Sequence, residues 1–379
     1  MYLPRKMFPA LAGNSYAYLN SGGSGPPSYE TIRAMRQADD LYMGPAYLEG
    51  VDFYAHQDEA YARAREAAAR LVNTTPENIA LTQNTTHGMN LGTFALDWKE
   101  GDEVVSSRSE HPGTLVPLHA LQRRYGVRLR LIEPPVTPEK VEEASGPRTR
   151  LVALSHVDWT TGQVLPLEDI CALAHQWGAL TLVDGAQSIG NVPVDVPATG
   201  ADMYAFTGHK WVLGPEGMGG FYVRPGCEVA STSLGYDSLS DPTQFRAEGG
   251  YWQYIYHGAR RFEASTMSPA LAAGFAAAAD AVYERGAEGF AEIQRRADLL
   301  SDLLEKLPRV TLRSPRPARS GLVSFEMTDV AAKEAAEKLL QKRLVVRFIQ
   351  EPYPYVRAST HLFNTEEELE ALTSAVNKL

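Results

Sequence analysis

Cysteine is nearly missing: Cys171 and Cys227 are the only two in 379 residues, too few and too isolated for a disulfide framework or a metal knuckle. A reducing compartment, the cytoplasm, is therefore expected. No pair among the 9 histidines has His-Glu-x-x-His spacing, so no catalytic metal is expected either. Positive charge is short as well, with 36 Lys plus Arg against 46 Asp plus Glu, and the resulting net charge of -10 without a basic stripe argues against a nucleic-acid partner. No apolar run approaches the ~18 residues of a membrane span. Even the Ala-rich stretch from Pro269 to Ala281 carries Asp280. The opening MYLPRKMFPALAG has too short an apolar part, interrupted by Pro9, to be expected as a secretory signal. No fixed-period repeat is present.

What is there is an ordinary globular balance, 44% hydrophobic and 22% charged, in a chain long enough for two to three domains. From about residue 57 to 225 the hydrophobic period switches between helical and strand-like. Gln57 to Val72 reads as a helix, and short strands are predicted at 78–82, 103–106, 127–132, 150–155, 180–183, 203–206 and 220–223. Strands alternating with helices imply an α/β fold with a mostly parallel sheet covered on both faces. Beyond the Tyr-rich stretch 231–258 an Ala-rich helix from Pro269 to about Lys306 is expected to bridge to a smaller α+β domain. That domain is read as strands at 321–327, 345–349 and 355–358 with helices at 330–342 and 365–378. Thr365 with Glu368 has the form of a capping box.

In open α/β sheets a ligand sits beyond the carboxyl ends of the strands. The residues following successive predicted strands are Asn84-Thr85-Thr86-His87-Gly88, Glu110-His111-Pro112-Gly113, His156-Val157-Asp158-Trp159, Asp184-Gly185-Ala186-Gln187 and Thr207-Gly208-His209-Lys210-Trp211. A carboxylate, a lysine, imidazoles and a hydroxyl-rich helix start would then meet at one rim. Pyridoxal 5'-phosphate needs this set. A lysine amine forms a Schiff base with its aldehyde, an aspartate keeps the pyridine nitrogen protonated, and a helix N-terminus takes the phosphate. GPEGMGG lacks the Gly-Lys-Ser/Thr ending of a P-loop and reads as a turn beside the lysine.

LVDGAQSIG, followed about twenty residues later by ADMYAFTGHKW and then GPEGMGGFYV, resembles the class V aminotransferase and cysteine desulfurase family of fold type I pyridoxal phosphate enzymes. The resemblance runs from YLNSGGSGP to YVRAST. Within it EHPGT, LSHVDWTTGQVLPL, RRFEAST and SGLVSF are most similar to the cysteine/cystine C–S lyase branch, with isopenicillin N epimerase-like proteins next. It implies a homodimer, a seven-stranded large domain over 16–255, and a small domain over 256–379 joined by the arm 1–15. By the same resemblance Lys210 carries the cofactor, Asp184 pairs with the ring nitrogen, Gln187 reaches the ring oxygen and His111 stacks on the ring. Thr86, the backbone of His87, and His209 hold the phosphate, Ser265 or Thr266 reaches it across the dimer, and Arg357 takes the substrate carboxylate.

Two departures stand out. Between Gly321 and Arg357 there is no cysteine, where persulfide-forming desulfurases carry one, and Trp159 stands where many relatives have Asn. The stretch Gly235 to Gly258 is expected to shape the substrate pocket. The expected reaction is β-elimination from a sulfur amino acid, with transamination or epimerisation as alternatives on the same cofactor. A non-catalytic pyridoxal phosphate-binding or regulatory protein is the alternative of another class.

Overall fold

The structure, a computed structural model, describes residues 3–43, 50, 52–241, 243–244, 255–317 and 319–379. After a short strand β1 (Ala17–Tyr18) and helices α1 (Tyr29–Met43) and α2 (Phe53–Leu71), the chain builds its main sheet from seven strands. These are β2 (Ile79–Thr82), β3 (Glu103–Ser107), β4 (Arg128–Ile132), β5 (Thr149–Ser155), β6 (Leu180–Asp184), β7 (Met203–Thr207) and β8 (Gly219–Val223). Their order is β2-β8-β7-β6-β5-β3-β4. Strand β8 is antiparallel to both its neighbours and the other pairs are parallel. Every residue of β2, β3, β7 and β8 is buried, which is why none of them alternates apolar with polar residues.

The intervening helices α3 (Thr85–Thr93), α4 (Pro112–Tyr125), α5 (Pro138–Ala144), α6 (Leu167–Gln176) and α7 (Val196–Thr199) follow the strands as expected of crossover connections. The long helix α8 (Pro269–Glu305) spans two cores. Phe275, Ala279 and Val282 pack with Tyr204 and Phe206 of the main sheet, while Ala297, Leu300 and Leu304 pack with Phe325 and Val356 of a second sheet. Its backbone leaves the helical region at Gly286, where φ is 51°.

The second sheet has the antiparallel order β12-β13-β10-β9, from β9 (Val310–Leu312), β10 (Leu322–Met327), β12 (Arg347–Ile349) and β13 (Tyr355–Ser359). Helices α9 (Ala332–Gln341) and α10 (Glu366–Asn377) cover it, the latter opened by the Thr365–Glu368 capping box. The expected strand over 345–349 is divided. Its start is β11 (Leu344–Val345), which pairs in parallel with β1, and its end is β12. The N-terminal arm packs Phe8 and Leu11 against Leu213 and Phe363, and Asn20 bridges Ser359, so the chain as far as Asn20 lies with the second sheet. Helix α1 and strand β9 have no counterpart in the sequence reading; the three residues of β9 are too short a run to show a period.

Candidate active site

The carboxyl ends of β2, β3, β5, β6 and β7 open on a cleft of about 480 Å³ lined by Asn84, Thr85, Thr86, His111, Trp159, Asp184, Gln187, Thr207, His209 and Lys210. Gly22 and Gly23, with Arg347 and Arg357 from the second sheet, close its far side. The cleft is thus assembled where the two sheets face each other. Its place at the strand ends follows from parallel topology, which puts the loops and helix N-termini on one side.

Asp184 ends β6 and is buried, with Oδ1 accepting from the amide of Ala186 at 2.9 Å and Oδ2 from the Thr114 hydroxyl at 3.1 Å. The close turn after it needs glycine at 185, since a Cβ there would lie 2.1 Å from the Tyr204 ring. Lys210 follows β7 at the cleft wall. Burial pushes its ammonium down to about 8, with Arg357 and Arg347 adding to that effect against the pull of Asp184. A large fraction of neutral amine near pH 8 is the chemical consequence.

His111 caps α4, its Nδ1 accepting from the amide of Gly113 at 3.0 Å, and its ring meets the Trp159 ring edge-on at 5.1 Å. Burial and the charge of Lys210 hold its imidazole below the usual range, so it stands neutral. Asn84 caps α3 by accepting from the amide of His87 at 2.9 Å. Thr86 lines the cleft beside it, and Thr85 has a buried hydroxyl oxygen with no partner. His209 bonds Thr207 through Nδ1 at 2.7 Å, and burial lowers its pKa. A helix start with an unmet hydroxyl and two further polar side chains is an anion site in form.

Arg357 is 1% exposed, its Nη1 donates to the Trp159 carbonyl at 2.5 Å, and its Nε has no partner. Burial and the facing Arg347 bring the guanidinium down to about 9. Residues Arg347 and Arg357 are direct partners across β12 and β13. Two guanidinium groups side by side, one with an unmet buried donor, call for an anionic ligand. Sequence reasoning missed Arg347, Thr114 and Asn84 as site residues. Arg347 shows itself only through antiparallel pairing, whereas Asn84 and Thr114 sit inside the motifs NTTHG and EHPGT.

Gln187 lines the cleft with its amide held at both ends, Nε2 donating to the Gly22 carbonyl at 2.9 Å and Oε1 accepting from the Trp211 indole at 2.8 Å. The structure of one chain does not bring Ser265 and Thr266 to this cleft. Both are exposed, on a segment pinned by the buried Arg65–Glu263 ion pair and by the bond from the Met267 amide to the Tyr61 hydroxyl at 3.0 Å. Cys171 is buried on the inner face of α6 and Cys227 lines a separate surface cleft, so neither lines the cleft that holds the lysine. Burial raises their thiols to about 12 and about 11. Of the stretch expected to shape the pocket, residues 242 and 245–254 lie outside the described residues.

The residues present fit pyridoxal phosphate: a helix start with an unmet hydroxyl, a buried carboxylate, a neutral imidazole and a lysine of depressed pKa converge on one opening. Residues 17–372 match the family described as aminotransferase class-V. The chain belongs to that family. A cysteine desulfurase of Shigella sonnei (strain Ss046) is 31% identical over 412 residues, covering 99% of this chain and 97% of the relative. One from Synechococcus elongatus is 31% identical over 349 residues, covering 86% of this chain, which spans 54% of that longer relative. Among solved structures, a lysine-to-alanine variant of C-DES with glycine covalently linked to the PLP cofactor has a TM-score of 0.91 at 31% identity, with 100% of both chains covered. The cystine C–S lyase C-DES in complex with its reaction product cysteine persulfide has a TM-score of 0.90 at 32% identity, covering 98% of this chain and 99% of that one.

Proposed function

We propose that this class-V family member is a pyridoxal-phosphate-dependent C–S lyase that cleaves a sulfur amino acid by β-elimination. A substrate with two carboxylates, of the cystine type, fits it better than cysteine. The observation that carries this reading is the make-up of one cleft: Lys210 with a pKa near 8, Asp184, and the paired Arg347 and Arg357, with both cysteines elsewhere. The relatives named cysteine desulfurase and the neighbour named cystine C–S lyase support sulfur chemistry. The position of Cys171 and Cys227 favours the lyase over a route through a protein persulfide.

When bound, pyridoxal phosphate supplies an electron sink for negative charge at the substrate Cα. The chain does the rest. Lys210 is the residue of covalent attachment, and its neutral Nζ takes the proton from Cα. Asp184, oriented by Thr114 and Ala186, would hold a proton on the ring nitrogen, and neutral His111 would lie against the ring. Gln187 would be the residue nearest the ring oxygen. The amides at Thr86 and His87 and the side chain of His209 hold the phosphate, with Thr266 of a second copy completing it in a homodimer. Arg357 binds the α-carboxylate, and Arg347 binds the second carboxylate. As the Cα–H pair moves toward Cβ, the C–S bond breaks and sulfur leaves with its electrons. Cystine plus water then gives pyruvate, ammonia and cysteine persulfide.

Transamination is the second reading, because it shares the proton removal at Cα. A screen of the purified holoenzyme against cystine, cysteine, and amino acid plus keto acid pairs separates the two. Pyruvate and persulfide from cystine are expected, with most activity kept by the double variant Cys171→Ser, Cys227→Ser. New amino acid without pyruvate would sink the lyase reading, and a folded double variant that no longer releases sulfur would replace it with a desulfurase.

A further inference from the structure

Glu110 is a buried titratable group that the proposed reaction leaves unused. It immediately precedes His111, is 5% exposed, and is in no ion pair among the described residues. Its Oε1 accepts from the Ser155 amide at 2.7 Å and its Oε2 from the Ser155 hydroxyl at 2.5 Å. Ser155 ends β5 and pairs in register with Asp184 at the end of β6, so Glu110 is held on the residue beside Asp184. A third carboxyl group, that of Asp158, follows on the same loop.

The three are compensated unequally. Asp158 Oδ1 accepts from the amides and hydroxyls of both Thr160 and Thr161, at 2.6 to 2.9 Å. Asp184 has Thr114, the Ala186 amide and the attraction of Lys210. Glu110 has Ser155 alone. Like charges gathered in a buried site cannot all stay ionised, and the proton goes to the group with the weakest compensation.

We infer that Glu110 is a positioning residue, a protonated acid at neutral pH whose Oε1 accepts from the Ser155 amide while its Oε2–H donates to the Ser155 hydroxyl, which turns to accept it; it so ties the loop carrying His111 to Ser155 and spares Asp184 a neighbouring negative charge. Burial, with Asp184 and Asp158 adding to it, raises its carboxyl to about 8 in keeping with this. The other groups around it do not supply a cation at close range. His156 and Tyr204 bond each other at 2.9 Å, burial keeps His156 neutral, and Lys210, Arg347 and Arg357 stand on the cleft side. The inference rests on the proposed function only for what Asp184 holds, so its test uses cofactor-free protein and needs no substrate.

The folded state keeps a proton that the unfolded chain releases above its ordinary carboxyl pKa, so folding weakens as pH rises from about 4.5 through about 8. Between pH 6 and pH 8 the wild-type folding constant should fall at least about tenfold relative to that of Glu110→Gln, read by urea unfolding. A constant ratio over this range would overturn the inference. Should Glu110→Gln fail to fold, the infrared carbonyl band of a protonated carboxylic acid in wild-type protein decides instead: present at pH 6 and lost by pH 10, or missing throughout, which refutes the proposal. For the positioning role, Glu110→Ala should weaken pyridoxal phosphate binding more than tenfold and Glu110→Gln should restore most of it. Equal affinity in Glu110→Ala and wild type refutes that role.

Discussion

At the scale of single residues the site works by unequal charge compensation. Lys210 is pushed down to about 8 by burial and by Arg357 and Arg347, so below that pH each unit removes about tenfold of the neutral amine. The rate of cofactor attachment to cofactor-free protein should therefore climb with pH and level off above about 8, as followed by absorbance in stopped flow. A rate independent of pH between 6 and 9 would contradict the assignment. Asp184→Asn keeps one acceptor oxygen for the Ala186 amide, places an NH2 against the Thr114 hydroxyl, which can turn to accept it, and removes the charge. The fold should persist while kcat falls by about a hundredfold or more; near-normal turnover would rule out its proposed role. Arg357→Lys loses the fork that meets a carboxylate, a charged hydrogen bond worth about 1.5–3 kcal/mol. KM should rise on the order of tenfold to a hundredfold with cofactor affinity little changed, and an unaltered KM for every amino acid tested would refute it.

At the scale of elements, two anchors behind the cleft set where these side chains stand. Asp202, fully buried before β7, accepts from the Thr181 amide at 2.8 Å, from Arg224 Nη2 at 2.6 Å and from His175 Nε2 at 2.9 Å, and so joins α6, β6 and β8. Asp202→Ala leaves the Thr181 amide without its acceptor and should cost about 1–3 kcal/mol in urea unfolding without changing the pH profile of the site. The turn after β6 is the second anchor. Tyr204 is held at 2.9 Å by His156 and at 2.5 Å by Ser188, so it cannot yield to a side chain at 185. Gly185→Ala should destabilise by about 1–3 kcal/mol and lower kcat together, because the turn that must shift to admit a Cβ carries Asp184.

Across the whole molecule, buried histidines fix the response to acid. Burial holds His156 down to about 4 and His361 down to about 3, the latter bonding the Trp211 carbonyl at 3.1 Å between the two sheets. An unfolded histidine gains its proton near pH 6.5. The stability these two neutral side chains confer is complete above that pH and is lost as pH falls through the folded values. Calorimetry of cofactor-free protein should show Tm dropping steadily from about pH 6.5 to 4, and His361→Gln should flatten that slope; an unchanged slope in a folded His361→Gln would assign it to other groups.

The sequence alone determined the α/β architecture, the positions of the seven main strands to within a residue or two, the capping box at Thr365, and the residues at the strand ends, Lys210 and Asp184 among them. Those features are local: a buried parallel strand is a short apolar run, and the residue after it must lie at the rim. The structure decided what depends on chain segments far apart. Trp159 against His111, Glu110 on Ser155, and the pairing of 344–345 with β1 that divides 344–349 between two sheets join segments far apart in the chain, while Arg347 meets Arg357 only through the register of β12 on β13; no hydrophobic period encodes any of these. The pKa values near 8 of Lys210 and Glu110 are of the same kind, because they come from burial and from neighbours that only tertiary packing brings together: Arg357 and Arg347 of the second sheet for Lys210, and Asp184 and Asp158 at the ends of other main-sheet segments for Glu110.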